Sequence, residues 1–265
     1  MDLELSSSSI NGDEQANVEV LKAQIESTIE LDDALRAWLT NITYARFLRA
    51  RDQSISKSYK MLSNTIEWRK KKSPEKVVCV ACQKNPRSHS LRAIGVCKIG
   101  RPVFYSCFQV DNRNVEDNIT HCIHLLEKVF ELECTTEQNY IWVMDFSGFS
   151  AADLNPKFSV KALKMFQSHY PERMGIAVLF DAPRSFQALW RVLKLVVDTN
   201  TKKKMLFQNP APEYPEFDKL FNRDLTDRLV LEIKSARETP QREFWLEGPV
   251  PPMEDMKMHG SHSEG

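Results

Sequence analysis

Residues 140–148, YIWVMDFSG, decide how the chain folds, because a continuous apolar run ends there in an aspartate, a serine and a glycine. Such a run is typical of a strand that is buried on both faces of a parallel sheet. The runs at 103–105 and 176–180 have the same character, and helical spacing occupies about 117–134 and 157–169. Strands that alternate with helices predict an α/β fold with a largely parallel sheet.

The chain before this region has a purely helical pattern. Apolar residues recur at helical spacing over about 17–40, 43–51 and 55–70, and Pro74 ends the last of these helices. The acidic, serine-rich start and the Pro- and Met-rich end contain too few apolar residues to fold by themselves. The expected parts are a disordered N-terminus, a helical region, an α/β domain and a disordered tail, over 1–16, 17–74, 75–240 and 241–265.

Charge is balanced over the whole chain but segregated along it. The chain has 36 basic and 36 acidic side chains, which excludes a global basic field for nucleic acid. Residues 41–76 nevertheless hold ten basic and three acidic side chains, and residues 184–207 hold six and one. The sequence contains neither of the two glycine-rich phosphate-binding motifs, G-x-x-x-x-G-K-[ST] and G-x-G-x-x-G. Because there is no long apolar run and no secretory signal, we expect a cytoplasmic protein.

Cysteine and histidine residues offer candidates for metal or redox chemistry. Cys79 and Cys82 form a C-x-x-C pair to which His89 and Cys97 could be added, but the spacing matches no standard zinc finger. His121 is three residues before a second histidine, and the exposed face of an amphipathic helix is the simpler interpretation. We therefore expect no metal, no redox function and, in a reducing compartment, no disulfide.

Catalysis is not expected either. Asp145 ends a predicted strand, where α/β enzymes place catalytic residues, and His169 is available as a base. However, the sequence Gly148-Phe149-Ser150 does not make the G-x-S-x-G nucleophile elbow. A hydrolase that uses Asp145 and His169 is kept as a minor alternative.

An apolar helix that is followed by basic residues is predicted to begin at Phe186. Leu189, Trp190 and Leu193 continue an apolar stripe, and lysines occupy 202–204. Such a segment suits an anionic membrane surface, a cover over a pocket, or ordinary packing on the sheet. Near an anionic leaflet, each cation contributes about 1 kcal/mol, which is enough for transient docking but not for anchorage.

Taken in order, several motifs resemble the CRAL-TRIO family of lipid-binding proteins. They are TYARFLRAR at 43–51, EWR at 67–69, GRPV at 100–103, VMDFSG at 143–148, YPERMG at 170–175, and the helix from Phe186 with TKKK at 201–204. The resemblance covers about residues 40–207. It implies a helical N-terminal region followed by an α/β sandwich in which a mixed, mainly parallel sheet floors a hydrophobic lipid pocket, within residues 75–240.

The resemblance also implies a function without catalysis or cofactor. A phospholipid, phosphatidylinositol in the closest-matching type, would be extracted from one membrane and released at another by a monomer with peripheral membrane association. The helix from Phe186 corresponds to the mobile gate of the family. The head group would be bound by Arg51, Glu172, Thr201 and Lys204. The pocket or gate would include Tyr140, Trp142, Phe186, Leu189, Trp190 and Leu193.

The sequence departs from the family pattern at three places. Asp52 stands where some members have a basic residue, which implies a different head-group network. Tyr140 and Trp142 replace the small hydroxyl residues of phosphatidylcholine-binding members, which argues against choline lipids and implies a narrower cavity. Residues 213–236 lack the usual ending of the domain. Two alternatives remain: a carrier of a sterol, tocopherol-like or retinoid-like ligand, and a regulatory module with a vestigial pocket.

Overall fold

The computed structural model describes residues 10–85, 88–109, 114–132, 137–150, 153, 156–195, 197, 199–209 and 215–238. The predicted disordered tail over 241–265 and residues 1–9 of the predicted disordered N-terminus lie outside these ranges. The helices are α1 Gly12–Thr28, α2 Asp33–Trp38, α3 Asn41–Arg49, α4 Ile55–Lys72, α5 Val80–Lys84, α6 Val115–Val129, α7 Pro156–His169, α8 Phe186–Leu193, α9 Thr199–Lys203, α10 Pro215–Leu220 and α11 Arg223–Glu238, with a 3-10 turn at Pro74–Lys76. The strands are β1 Arg92–Val96, β2 Pro102–Ser106, β3 Tyr140–Asp145, β4 Met174–Phe180 and β5 Met205–Gln208.

The strands form one mixed sheet in the order β1-β2-β3-β4-β5. β1 is antiparallel to β2, whereas β2, β3, β4 and β5 are parallel to one another. The mixed, mainly parallel sheet of an α/β fold is therefore confirmed. The sequence patterns do not reveal the two outer strands, because β1 contains a glycine and a buried arginine and β5 has four residues.

The two faces of this sheet are covered to different extents. Trp142 of β3 pairs with Phe104 of β2 and Ala177 of β4, so their side chains share one face, which also carries Met144. On this face, which we call the Trp142 face, Trp142 and Met144 are half-buried. The opposite face, called the Asp145 face, carries the buried β3 side chains Ile141, Val143 and Asp145.

The chain divides into two compact units. Unit 1 joins the residues up to Pro74 to Leu163–Arg173, and unit 2 contains Glu75–Ala162 and the residues from Met174 onwards. Residues 163–173 fall within the segment that the sequence assigns to the α/β domain. Such a grouping arises from contacts between residues that are distant in sequence, which local patterns do not encode.

Unit 1 has a helical core. Its first helix begins at Gly12, before the boundary expected at residue 17, because Asn11 and Glu14 form a capping box. Helix α4 ends at Lys72, its C-cap Ser73 has a left-handed φ of 44°, and Pro74 follows. Helices α1, α3 and α4 supply the core residues Val18, Leu21, Ile25, Phe47, Leu62 and Ile66.

An ion pair fastens the start of α1 to the end of α3. Arg49 donates to the two carboxylate oxygens of Glu14, from Nε at 2.7 Å and from Nη2 at 2.6 Å. The hydrogen bond from Arg49 holds the pKa of Glu14 below its ordinary value, although burial acts in the opposite direction.

Within unit 2, a fully buried aspartate fastens α11 to the sheet. Asp145 accepts hydrogen bonds from the Tyr105 hydroxyl at 2.8 Å and from the two terminal nitrogens of Arg237 at 2.9 and 2.8 Å. Arg237 also pairs with Asp181, which follows β4, at 3.1 Å. These contacts join β2, β3, the end of β4 and α11 through Asp145 and Arg237.

Further contacts hold α11 along its length. The Ser147 hydroxyl donates to the carbonyl oxygen of Ala236 at 2.7 Å, and Arg92 of β1 pairs with Glu232 in the interior. Within the part of the chain that the structure describes, no helix is both long and apolar enough to cross a bilayer.

We expect Arg237→Ala to destabilise unit 2, because Asp145 would become an unpaired buried charge. Breaking a buried ion pair costs about 3–5 kcal/mol, and urea unfolding measures this loss. Arg223→Ala is the matched control, since Arg223 pairs with Asp227 on the exposed side of the same helix and such pairs contribute about 0–1 kcal/mol. Equal losses in the two variants would contradict the role of Arg237.

Candidate functional site

Helix α8 packs over the carboxyl ends of β3 and β4 through apolar contacts. Its inward residues Phe186 and Leu189 are buried in one cluster with Phe146 and Leu179. Phe186 and Phe146 meet edge to face with ring centroids 4.6 Å apart. Half-buried members of the cluster are Phe108, Met144, Phe149, Ala182, Trp190, Leu193 and Met205. The structure thus brings all four predicted gate residues of α8 into contact with this cluster.

The Trp142 face continues this apolar surface along β3. Met144 belongs to the α8 cluster, and Trp142 is two residues before it on the same face. The indole Nε1 of Trp142 donates to the Ser106 hydroxyl at 2.9 Å, which fixes the ring on the sheet. Tyr140 is buried, with its ring 5.0 Å from that of Phe104. Both predicted pocket aromatics therefore lie on this face.

The outer side of α8 combines exposed apolar and basic side chains. Leu195, just after the helix, is 81% exposed, and Val192 is also exposed. Arg191 and Lys194 are exposed next to them in sequence. An exposed leucine beside basic side chains is unusual on a surface that contacts only water. Such a surface suits contact with an anionic membrane.

Thr201 and Lys204, two predicted head-group residues, lie together in unit 2. The backbone N–H of Lys204 donates to the Thr201 carbonyl at 3.1 Å, and the Lys204 carbonyl accepts from Ala177 of β4 at 2.9 Å. Lys204 is therefore held by the sheet backbone, directly before β5. Both side chains are partly exposed.

Arg51 and Glu172, the other two predicted head-group residues, belong to unit 1. Arg51 donates from Nη1 to the Ala50 carbonyl at 2.7 Å. Glu172 has a left-handed φ of 56° and acts electrostatically on Arg49, whose pKa is raised first by its bond to Glu14 and also by Glu172. The sequence points to Arg51 and misses Arg49, although the motif contains both. The head-group role of all four residues stays a prediction.

The two residues considered for hydrolysis have structural partners. Asp145 is saturated by Tyr105 and Arg237, as described above. In unit 1, His169 Nδ1 is 3.2 Å from the Thr65 hydroxyl, and its ring stacks on Trp68 at 4.2 Å. Both side chains thus have structural partners within their own unit.

Four potential metal ligands converge elsewhere in unit 2. Cys79, Cys82 and His89 were grouped with Cys97 in the sequence, but the structure places His121 with them instead. The position of His121 on α6 is what links it to this group: His121 is buried there, and its ring contacts the Leu91 carbonyl directly before β1. The interpretation of His121 as an exposed helical residue was therefore wrong.

Comparison with known families gives one matching family model. The model, described as CRAL/TRIO domain, matches residues 94–228, about half of the chain. The matched segment includes the last three residues of β1, all of β2 to β5, and α8.

Known relatives match this chain at low identity. A CRAL-TRIO domain-containing protein of Schizosaccharomyces pombe is 26% identical over 200 residues, which are 72% of this chain and 19% of that protein. Protein real-time of Anopheles gambiae is 28% identical over 186 residues, 62% of this chain and 27% of that protein. Phosphatidylinositol transfer protein PDR17 of Saccharomyces cerevisiae is 24% identical over 213 residues, 72% of this chain and 60% of that protein. The chain thus spans less than two thirds of the length of these relatives.

A solved structure shares the fold. The crystal structure of Sfh5 aligns with a TM-score of 0.60 at 18% identity, covering 76% of this chain and 82% of that chain. This likeness supports the α/β architecture.

We expect the stacked His169 to make stability depend on pH. Burial, together with Arg69, lowers the pKa of His169 from 6.5 to about 4 in the folded protein. As the pH falls, the unfolded chain therefore binds this proton at a higher pH than the folded protein does. The stability associated with a neutral His169 is complete above pH 6.5 and is lost as the pH falls towards 4. The free energy of unfolding should therefore fall less over this range in His169→Gln than in the parent protein. Parallel curves would show that His169 does not contribute.

Proposed function

Because the chain belongs to the CRAL/TRIO domain family, whose members bind and transfer lipids, we propose that it carries one phospholipid, phosphatidylinositol, between membranes without catalysis. The lipid chains would lie between α8 and the Trp142 face. The relative named as a phosphatidylinositol transfer protein supports this choice of lipid.

The observation that carries the proposal is the unequal covering of the two sheet faces. The Asp145 face is closed by buried side chains, whereas Trp142 and Met144 on the opposite face are partly exposed beneath an apolar helix. Moving α8 outward would separate Phe186 and Leu189 from the sheet and extend the apolar surface that begins at Met144. Acyl chains bound there would replace these contacts with equally apolar ones, so exchange would cost little free energy.

The short helix α8 suits the role of a gate. Its contacts with the sheet are aromatic and aliphatic, and such contacts are not directional. In contrast, α11 is held by directional ionic bonds from Arg237 and Arg92. Displacement of α8 therefore requires no buried charge to lose its partner.

Thr201 and Lys204 are proposed to bind the head group. A phosphate carries negative charge and accepts hydrogen bonds, so a lysine with a neighbouring hydroxyl matches its chemistry. The backbone bond from Ala177 to the Lys204 carbonyl holds the backbone of Lys204 at the edge of the sheet, directly before β5, which supports this role.

A neutral hydrophobic ligand is the second candidate. The bulky rings of Tyr140 and Trp142 on the Trp142 face leave less room for two acyl chains than small residues would. Identifying the molecule bound to the purified protein separates the two candidates, and native mass spectrometry with lipid analysis makes that measurement. A phosphatidylinositol supports the first candidate, and an isoprenoid or sterol contradicts it.

We expect Lys204→Ala to reduce phosphatidylinositol transfer between vesicles by about tenfold or more, because a hydrogen bond to a charged group contributes about 1.5–3 kcal/mol. Lys203→Ala is the matched control: Lys203 is the preceding residue, is exposed, and should transfer lipid at nearly the parental rate. Equal transfer by Lys204→Ala and the parent protein would remove Lys204 from the head-group site.

We expect Leu195→Glu to weaken binding to phosphatidylserine-containing vesicles by about tenfold, since it replaces an apolar contact worth about 1.5–3 kcal/mol and adds a repelled charge. Leu231→Glu provides the control, because Leu231 is 62% exposed on α11 and carries no proposed membrane role. Sedimentation with vesicles measures both. If the two variants bind like the parent protein, the membrane surface near α8 is wrongly assigned.

A further inference from the structure

A cluster of two thiols and two imidazoles lies at the start of unit 2. Cys79 precedes α5, Cys82 is on α5, His89 follows it, and His121 is on α6. Their ligand atoms all lie within 4.8 Å of one another, and Cys79, His89 and His121 are buried. The lipid-binding proposal does not involve any of these four side chains.

His121 is oriented as a ligand. Its Nε2 lies 2.7 Å from the Leu91 carbonyl oxygen, which can only accept a hydrogen bond, so Nε2 carries the proton. The lone pair of Nδ1 then points to Cys82, whose Sγ is 3.3 Å away. Histidines that bind metals usually donate their other ring N–H to a carbonyl or carboxylate in this manner.

His89 has a buried nitrogen without a partner. Its Nδ1 is 3.0 Å from Asn118 Oδ1, and the Asn118 amide is oriented by its donation to the Asn114 carbonyl at 2.7 Å. Nδ1 therefore donates, and Nε2 is left as an acceptor. Among the described residues, Nε2 of His89 has no hydrogen-bond partner. An unsatisfied buried acceptor is costly, and a bound cation would satisfy it.

The two cysteines are arranged on one turn. The backbone N–H of Cys82 donates to Cys79 Sγ at 3.4 Å, and the two sulfur atoms lie within 4.8 Å of each other. Both are free thiols.

The segment around α5 contains little else that would hold it in place. α5 has no buried side chain, and the flanking Val78 and Val80 are 48% and 55% exposed. The buried side chains of this segment include Cys79 and His89, which are polar or polarisable rather than aliphatic. Segments that lack an apolar core are commonly held by a disulfide or a metal.

We propose that Cys79, Cys82, His89 and His121 bind one zinc ion, which fastens the α5 segment to α6. Two thiolates and two imidazoles are the ligands that zinc prefers, and a closed set of four is typical of a structural site. Zinc–sulfur bonds of about 2.3 Å and zinc–nitrogen bonds of about 2.0–2.1 Å place ligand atoms about 3.5 Å apart. The distance from Cys82 Sγ to His121 Nδ1, 3.3 Å, is already close to this value.

Elemental analysis of the untagged full chain, purified from zinc-supplemented cells, tests the proposal. We expect one zinc ion per chain in the parent protein and in Cys97→Ser, and none in the double variant Cys79→Ser/Cys82→Ser. Cys97 is a matched control because it is buried in the same unit but outside the cluster. A parent protein without zinc, or a double variant that retains it, would overturn the proposal.

A spectroscopic measurement keeps the test decisive if the double variant does not fold. After zinc is removed from the parent protein by a chelator, added cobalt(II) should give the intense visible bands of a tetrahedral site with thiolate ligands. Zinc removal should also speed amide exchange over residues 79–85 and leave exchange in α11 unchanged. A weak octahedral cobalt spectrum, or unchanged exchange over 79–85, would overturn the proposal, whatever the result for lipid transfer.

Discussion

The carboxylate of Asp145 is the point on which the architecture of unit 2 depends. A charge with no exposed surface must be compensated, and here the compensation comes from Tyr105 on β2 and Arg237 on α11. The next turn belongs to the same arrangement: Gly148 has a φ of 79°, and a Cβ there would come within 3.1 Å of the Gln109 backbone nitrogen. One buried charge thus fixes the carboxyl ends of the strands and the helix that closes one face of the sheet.

This arrangement leaves the two faces with different kinds of contact. The Asp145 face is held by ionic and hydrogen bonds, which are directional and cost several kcal/mol to break when they are buried. The α8 cluster on the Trp142 face is held by apolar contacts, which a hydrophobic ligand could replace without leaving a polar group unsatisfied. A protein that exchanges lipids needs this combination, because one side must stay in place while the other moves. The basic side chains within 184–207 lie in α8 and in the segments on either side of it, where the chain-wide charge balance conceals them.

The sequence predicts the parts of this molecule that local patterns encode. Three central strands were evident because each is a continuous apolar run, and α8 was evident from its stripe of Phe186, Leu189 and Leu193. Side-chain contacts between residues that are far apart in the sequence were not evident. Nothing in the motif around Arg51 indicates that Arg49 binds Glu14, 35 residues away. Arg237, 92 residues from Asp145, comes directly after the segment where the family pattern fails, so its role became visible only in three dimensions. His121 was left out of the group of Cys79, Cys82 and His89 for the same reason, since it reaches Cys82 across 39 residues.

The proposed zinc ligands are connected to this rigid side of unit 2. His121 binds the carbonyl of Leu91, and the next residue, Arg92, pairs with Glu232 on α11. Burial lowers the pKa of Arg92 while Glu232 opposes that effect, so this interior pair depends on where β1 is placed. A metal bound to His121 would fix the start of β1 and hence this pair. The same bonds that close the Asp145 face would then extend from α6 through β1 to α11, whereas α8 contacts the sheet through apolar side chains.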